Sequence, residues 1–203
     1  MYILGLTGSI GMGKTTAAAT FRRFGVPVYD ADAAVHQLMT SNRKATDLVS
    51  KIFPDAVVNN NVDREVLGSI VFNDKKSLES LELILHPLVR DMQFEFLRQQ
   101  GKARESLVVL DVPLLFEKKI DKLCDTVAVV TAPLFLQEIR VLKRPKMTSE
   151  RFKQITENQL PNLEKIKRAE FIIQTSMGLK HSLIGIRKII NISRQRCGNC
   201  WSI

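Results

Sequence analysis

Near the start of the chain, Gly8-Ser9-Ile10-Gly11-Met12-Gly13-Lys14-Thr15 combines three glycines, a lysine and a hydroxyl at the spacing G-x-x-x-x-G-K-[ST]. Glycines let a backbone turn its N–H groups inward around a phosphate, and the N-terminus of a following helix adds positive potential. At this spacing Lys14 is placed to neutralise the β- and γ-phosphates of a nucleoside triphosphate, and the Thr15 hydroxyl to ligate magnesium. With Gly8, Gly11, Met12, Gly13 and Thr16 they make up the expected ATP-binding set. The bland reading is a glycine-rich turn joining strand to helix, but such a turn does not by itself require a Lys-Thr pair after the third glycine. Nucleotide binding follows. A kinase, a GTPase and a motor ATPase all share the loop, so other residues must separate them.

Carboxylates at the ends of apolar runs are the next candidates. Asp30 and Asp32 follow Val26-Pro27-Val28-Tyr29. In a kinase a carboxylate there accepts the proton of the acceptor hydroxyl or orients it for in-line attack. Asp32, which opens the next segment, is the better candidate for the base; a helix N-cap is the alternative for either aspartate. Asp111 closes Leu107-Val108-Val109-Leu110, the position of a carboxylate that holds magnesium directly or through water. Glu117, six residues on, either caps a helix or touches the acceptor.

Arg140 and Arg144 are four apart and so share one helix face. Followed by Pro145, Lys146, Arg151 and Lys153, they resemble the arginine-bearing lids that stabilise a transferring phosphoryl group. A solvated basic face is the commoner fate of such a run, and the phosphate loop favours the functional reading for Arg140 and Arg144. His86-Pro87, with Arg90 one turn on, stands in the middle of the chain, where a lone histidine is usually structural.

These residues need elements to position them. Residues 2 to 7 read as a buried parallel strand running into the glycine loop. A helix is expected from Lys14 to about Phe24, closed by Gly25, and a short strand over Val26–Tyr29. From Ala33 to about Gln100 the pattern is helical, with turn signals at Phe53-Pro54-Asp55 and Asn59-Asn60-Asn61 and no clear strand, as in an insertion over a sheet. Further strands are expected at 106–112, Thr126–Thr131 and Phe171–Ile173. A basic helical stretch is expected over Pro133–Lys167 and a last helix over about 179–195. Strands alternating with helices imply an α/β fold, a parallel sheet covered on both faces with its ligand site at the carboxyl ends of the strands. One domain is expected, with a nucleotide core at about 1–32, 105–135 and 165–195, a helical insertion at 33–104 and a lid at 136–162.

The chain's 203 residues suit one such domain. No stretch approaches the roughly 18 apolar residues of a membrane helix, and Met1-Tyr2-Ile3-Leu4-Gly5 has no signal-peptide character. A cytoplasmic location is the expectation, with no membrane partner. Three cysteines are too few for a disulfide framework, and Cys197-x-x-Cys200 supplies only two of the four ligands of a structural zinc. The net charge of +9 favours polyanionic partners. Aromatic residues are only 6%, poor supply for stacking on single-stranded nucleic acid, so a small anion is preferred over nucleic acid.

Together these motifs resemble one family, the dephospho-coenzyme A kinases. The resemblance rests on Gly5 through Thr15, Asp30-Ala31-Asp32, His86-Pro87-Leu88-Val89-Arg90 and Val112-Pro113-Leu114-Leu115-Phe116-Glu117. It also includes Arg140 with Arg144, Gln159, Lys165 and Ala169-Glu170-Phe171-Ile172-Ile173, all in the family's order from residue 2 to about 190. It implies a three-layer P-loop fold with a helical acceptor-binding insertion and a helical lid, acting as a monomer or small homo-oligomer. The implied reaction moves the ATP γ-phosphoryl group, with Mg2+, to the ribose 3′-hydroxyl of dephospho-coenzyme A. Asp32 would be the base, His86, Arg90 and Glu117 would face the acceptor, and Thr175 to Gly178 would lie near the adenine. Ser9 and Met12 replace a usual glycine and serine, Pro145-Lys146 a usual Asp-Gly, and Glu170 a usual aspartate. Ser9 would slow the reaction if its position needs a positive φ. The competing readings are another small-molecule kinase, a nucleotide-switched binding protein, against which the lack of an Asn-Lys-x-Asp guanine-reading motif counts, and a nucleic-acid binder resting on charge alone.

Overall fold

Tyr2–Thr7 form strand β1, and all six residues are buried, because both faces of a central parallel strand are covered. The structure, a computed structural model, describes residues 1–58 and 61–201. They divide into two compact units, residues 1–29 with 99–203 and residues 30–98.

In the first unit β1 runs through the glycine loop into α1 (Lys14–Arg23), which buries Ala17, Ala18, Thr20 and Phe21. β2 (Val28–Asp30) starts later than its apolar run suggests: Pro27 has no N–H for the ladder and enters only as an acceptor, from Val109 N at 2.9 Å. β2 leads directly into α2 (Ala31–Ser41), the first helix of the second unit.

That unit continues with α3 (Arg43–Ile52), β3 (Val57–Val58), β4 (Asn61–Val62), α4 (Arg64–Asn73) and most of α5 (Lys75–Lys102). β3 and β4 form a small antiparallel pair in register Val57↔Val62, where the sequence pattern showed no strand. Two residues a side are too few to display a period of two. The turn expected at Phe53-Pro54-Asp55 is a single 3-10 turn, Pro54–Ala56, while the turn signal at Asn59-Asn60 lies outside the described residues. Met39, Val49, Phe53, Leu67, Leu81 and Leu85 form the main core of this unit. Asp30, Asn42 and Asp63 cap α2, α3 and α4, each accepting from N–H groups of the first turn. Pro87 lies inside α5 and removes one rung of its ladder.

Back in the first unit come β5 (Leu107–Asp111), β6 (Thr126–Thr131), α6 (Leu134–Leu142), α7 (Ser149–Glu157), α8 (Asn162–Arg168), β7 (Phe171–Gln174) and α9 (Leu179–Arg194). The five-stranded sheet has the order β2-β5-β1-β6-β7, with β1 parallel to β5 and β6, and β6 parallel to β7. The stretch expected as one helical region breaks into α6, α7 and α8. Lys146, after Pro145, takes a φ of 59°, and Pro161 stands at the N-cap of α8, where a missing N–H costs nothing. α9 buries Ser182, Ile186, Ile189, Ile190 and Ser193 as one helical stripe against the sheet core.

The segment after α9 is tied to the start of the sheet. Asp125 accepts from Ile3 N at 2.7 Å, Asn199 N at 2.6 Å and Cys200 N at 3.0 Å. Glu170 accepts from Thr126 Oγ1 at 2.7 Å and pairs with Arg196 at 2.6 Å, and these contacts, led by the Thr126 hydroxyl, hold its carboxyl below the usual range. No described helix is long and apolar enough to cross a membrane.

Candidate active site

The loop between β1 and α1 is shaped by close backbone approach. A Cβ on Gly8 would stand 2.8 Å from the carbonyl oxygen of Val130; Gly11 has a φ of 77° and would meet Val141 Cγ2 at 2.5 Å. Ser9 is buried and does not take a left-handed φ, so the strain anticipated for it is absent. Met12 explains its own substitution: its side chain is fully buried in the sheet core, and its sulfur accepts from Ala132 N at 3.1 Å.

Lys14 Nζ donates to Asp111 Oδ1 at 2.7 Å, and Asp111, at the carboxyl end of β5, is only 2% exposed. Burial of the carboxylate strengthens this pair and fixes the ammonium at the head of α1. Thr15 and Thr16 follow on the first helical turn with exposed side chains. Arg140 of α6 turns toward the loop: its guanidinium donates to Thr175 Oγ1 and to the Thr175 carbonyl, each at 2.9 Å. Gly13, Thr16, Arg140, Thr175, Gly178 and Leu179 are among the residues lining a cavity of about 260 Å³. Arg144 is exposed beyond the end of α6.

Glu117 meets partners the sequence did not suggest. Its Oε1 accepts from Leu160 N at 2.7 Å and from Lys165 Nζ at 2.9 Å, and Lys165 is fully buried. Lys165 also reaches the Pro113 carbonyl at 3.4 Å, to which the Thr7 hydroxyl donates at 3.0 Å. Burial pushes the Glu117 carboxyl up, but the hydrogen bonds from Lys165 and Leu160 outweigh it and bring the group below the usual carboxylate range.

In the helical unit Asp30 caps α2 through Ala33 N at 3.0 Å, the alternative role considered for it. Asp32 stands in the first turn of the same helix, exposed. His86 Nε2 is 3.9 Å from Glu82. His86, Pro87 and Arg90 line one shallow cleft of about 450 Å³ with Leu83 and Asp91, and the Arg90 guanidinium lies 5.3 Å from the Phe94 ring centroid.

The structure thus gathers Gly8, Gly11, Met12, Gly13, Lys14, Thr15, Thr16, Asp111 and Arg140 at one end of the parallel sheet, and it gathers His86 with Arg90 on α5. Sequence reasoning missed Gln137, whose buried amide donates to the Ile10 carbonyl of the loop at 2.8 Å. Its signal was a polar residue directly after Leu134-Phe135-Leu136, three before Arg140 and hence on the same face.

A glycine loop between strand and helix, with its lysine on a buried carboxylate at the neighbouring strand's end, defines a P-loop nucleotide-binding fold. Comparison with known proteins narrows the class. The family described as Dephospho-CoA kinase matches residues 2–181. The dephospho-CoA kinase of Paramagnetospirillum magneticum is 54% identical over 165 residues, 81% of this chain and 78% of that protein. Among solved structures, TT1252 from Thermus thermophilus is 34% identical with a TM-score of 0.81, covering 94% of this chain and 96% of that one. The dephospho-CoA kinase of Campylobacter jejuni is 26% identical with a TM-score of 0.67, covering 96% and 98%. The chain belongs to the dephospho-CoA kinase family.

Proposed function

We propose that this chain transfers the γ-phosphoryl group of ATP to the ribose 3′-hydroxyl of dephospho-coenzyme A, giving coenzyme A and ADP, with the loop at Gly8–Thr15 as its triphosphate site. The observation that carries this reading is Lys14 held 2.7 Å from buried Asp111 at the head of α1, in a chain of this family. The ammonium and the loop N–H groups neutralise charge on the β- and γ-phosphates as the bond to the leaving oxygen lengthens. The cavity lined by Gly13, Thr16, Thr175 and Gly178 takes the adenosine end of ATP. Arg140 and Arg144 belong to the lid and face the transferring group.

Asp32 takes the proton of the 3′-hydroxyl or orients it as its oxygen attacks. The helical unit binds the acceptor through His86 and Arg90, and Glu117 acts on the acceptor side while anchored by Lys165. The oxygen donors Thr15 and Asp111 fit Mg2+, which keeps several waters and takes the rest of its shell from phosphates. Bound there, the ion would supply charge neutralisation at the β- and γ-oxygens.

A coupled assay of ADP release, run with dephospho-coenzyme A, nucleosides and nucleoside monophosphates and with or without magnesium, tests the assignment. Turnover is expected with dephospho-coenzyme A and magnesium; phosphorylation of another acceptor with none of this one defeats it.

A further inference from the structure

The phosphate loop is held from outside by side chains of three later segments. Gln137 Nε2 on α6 donates to Ile10 O at 2.8 Å, and Gln159 Oε1, beyond α7, accepts from Ile10 N at 3.1 Å. Thr175 Oγ1, just past β7, donates to Met12 O at 2.7 Å and accepts from Arg140 Nη1 at 2.9 Å. The Met12 N–H closes a turn on Ser9 O at 3.2 Å.

In a planar trans peptide the carbonyl of one residue and the N–H of the next point in opposite directions. Drawing the Ile10 and Met12 carbonyls outward therefore turns the N–H groups of Gly11 and Gly13 to the other side, toward the concave face of the loop. Arginine has only donors, so Arg140 takes a lone pair of Thr175 and leaves the single hydroxyl hydrogen for Met12 O, with the competing Thr131 carbonyl at 3.4 Å. Gln137 is 4% exposed, so water does not readily replace its bond.

We infer that Gln137 and Thr175 are positioning residues for phosphoryl transfer, aiming the Gly11 and Gly13 amides at the phosphates before the nucleotide arrives. The inference rests on the kinase reading above and adds to it the device that presets the cradle. Arg140 then has a part in the free enzyme as well: it orients the Thr175 hydroxyl.

The test is titration of the 15N-labelled full chain with inorganic tripolyphosphate, following the Gly11 and Gly13 amides and the affinity, beside the dephospho-coenzyme A assay. In the unaltered chain both amides should shift on binding. Thr175→Val should abolish the Gly13 shift and weaken binding roughly three- to tenfold, one hydrogen bond's worth, while Thr175→Ser retains both. Gln137→Met should do the same at Gly11; if it fails to fold, the Thr175 pair decides. Full shifts and affinity in folded Thr175→Val overturn the inference and leave the kinase reading intact. So does a loss equally large in Thr175→Ser, which would mark packing as the cause. Tripolyphosphate binding without turnover of dephospho-coenzyme A removes the acceptor assignment and leaves the brace standing; no binding by the unaltered chain overturns both.

Discussion

Around the phosphate loop, Ile10 and Met12 give their polar groups to Gln137, Gln159 and Thr175, and Lys14 rests on a carboxylate that is 2% exposed. Beside His86 the contacts face solvent. The histidine side chain is 54% exposed with the Glu82 carboxylate at 3.9 Å, and Arg90 lies over the Phe94 ring. On the proposed function, the contrast follows from what each region would recognise. A triphosphate is a dense, invariant charge, and donors fixed for it in a low-dielectric loop act strongly without reorganising. An acceptor bound on an exposed helix face must instead order long side chains as it arrives, at a cost of about 0.5–1.5 kcal/mol for each one immobilised. On that reading rigid positioning is concentrated around the triphosphate, and the helical unit would contribute shape and a few charges.

The sharpest challenge to this contrast is Asp32→Asn, since it takes from the helical unit the group assigned to chemistry. We expect kcat to fall by roughly 10²- to 10⁴-fold with ATP affinity, measured by calorimetry, nearly unchanged. Equal turnover would leave the whole reaction to the loop side. Lys14→Met comes next: kcat/KM should drop by roughly 10²- to 10³-fold. Asp111, left buried without its cation, should also lower stability by about 3–5 kcal/mol in urea unfolding. A variant of full stability would mean that the pair is not a brace. Arg90→Ala should raise KM for dephospho-coenzyme A by roughly three- to tenfold while KM for ATP and the melting temperature stay put, because its ring contact is worth only about 0.5–1 kcal/mol. A matching change in KM for ATP would blur the division between the two regions.

The smallest effect concerns pH. Glu117 is held below its ordinary value of 4.5, so its charged form stabilises the fold. That contribution is complete above about 4.5 and is lost as pH falls through the lowered folded value. Melting temperature should therefore decline below that point, and Glu117→Gln should flatten this part of the curve while lowering stability at neutral pH. An identical acid limb in the variant would place the acid sensitivity elsewhere.

The phosphate loop was legible in the sequence because its chemistry is local: three glycines, a lysine and a hydroxyl act through the backbone they sit on. Strands β1, β5 and β6 were legible because a parallel strand buried on both faces reads as an unbroken apolar run, and Asp111 followed as the carboxylate that ends one. The β3–β4 pair escaped because two-residue strands have no period to detect, and the break between α6 and α7 turned on the backbone of Lys146 after Pro145.

Amino-acid order by itself determined the family, the loop and the parallel sheet. Tertiary structure alone decided what each polar side chain touches: Met12 reaches Thr175 across 163 residues, Ile10 reaches Gln137 across 127, and Glu117 reaches Leu160 across 43. Only folding brings partners so far apart into hydrogen-bonding distance, which is why the brace around the loop and the anchoring of Glu117 had no local signature.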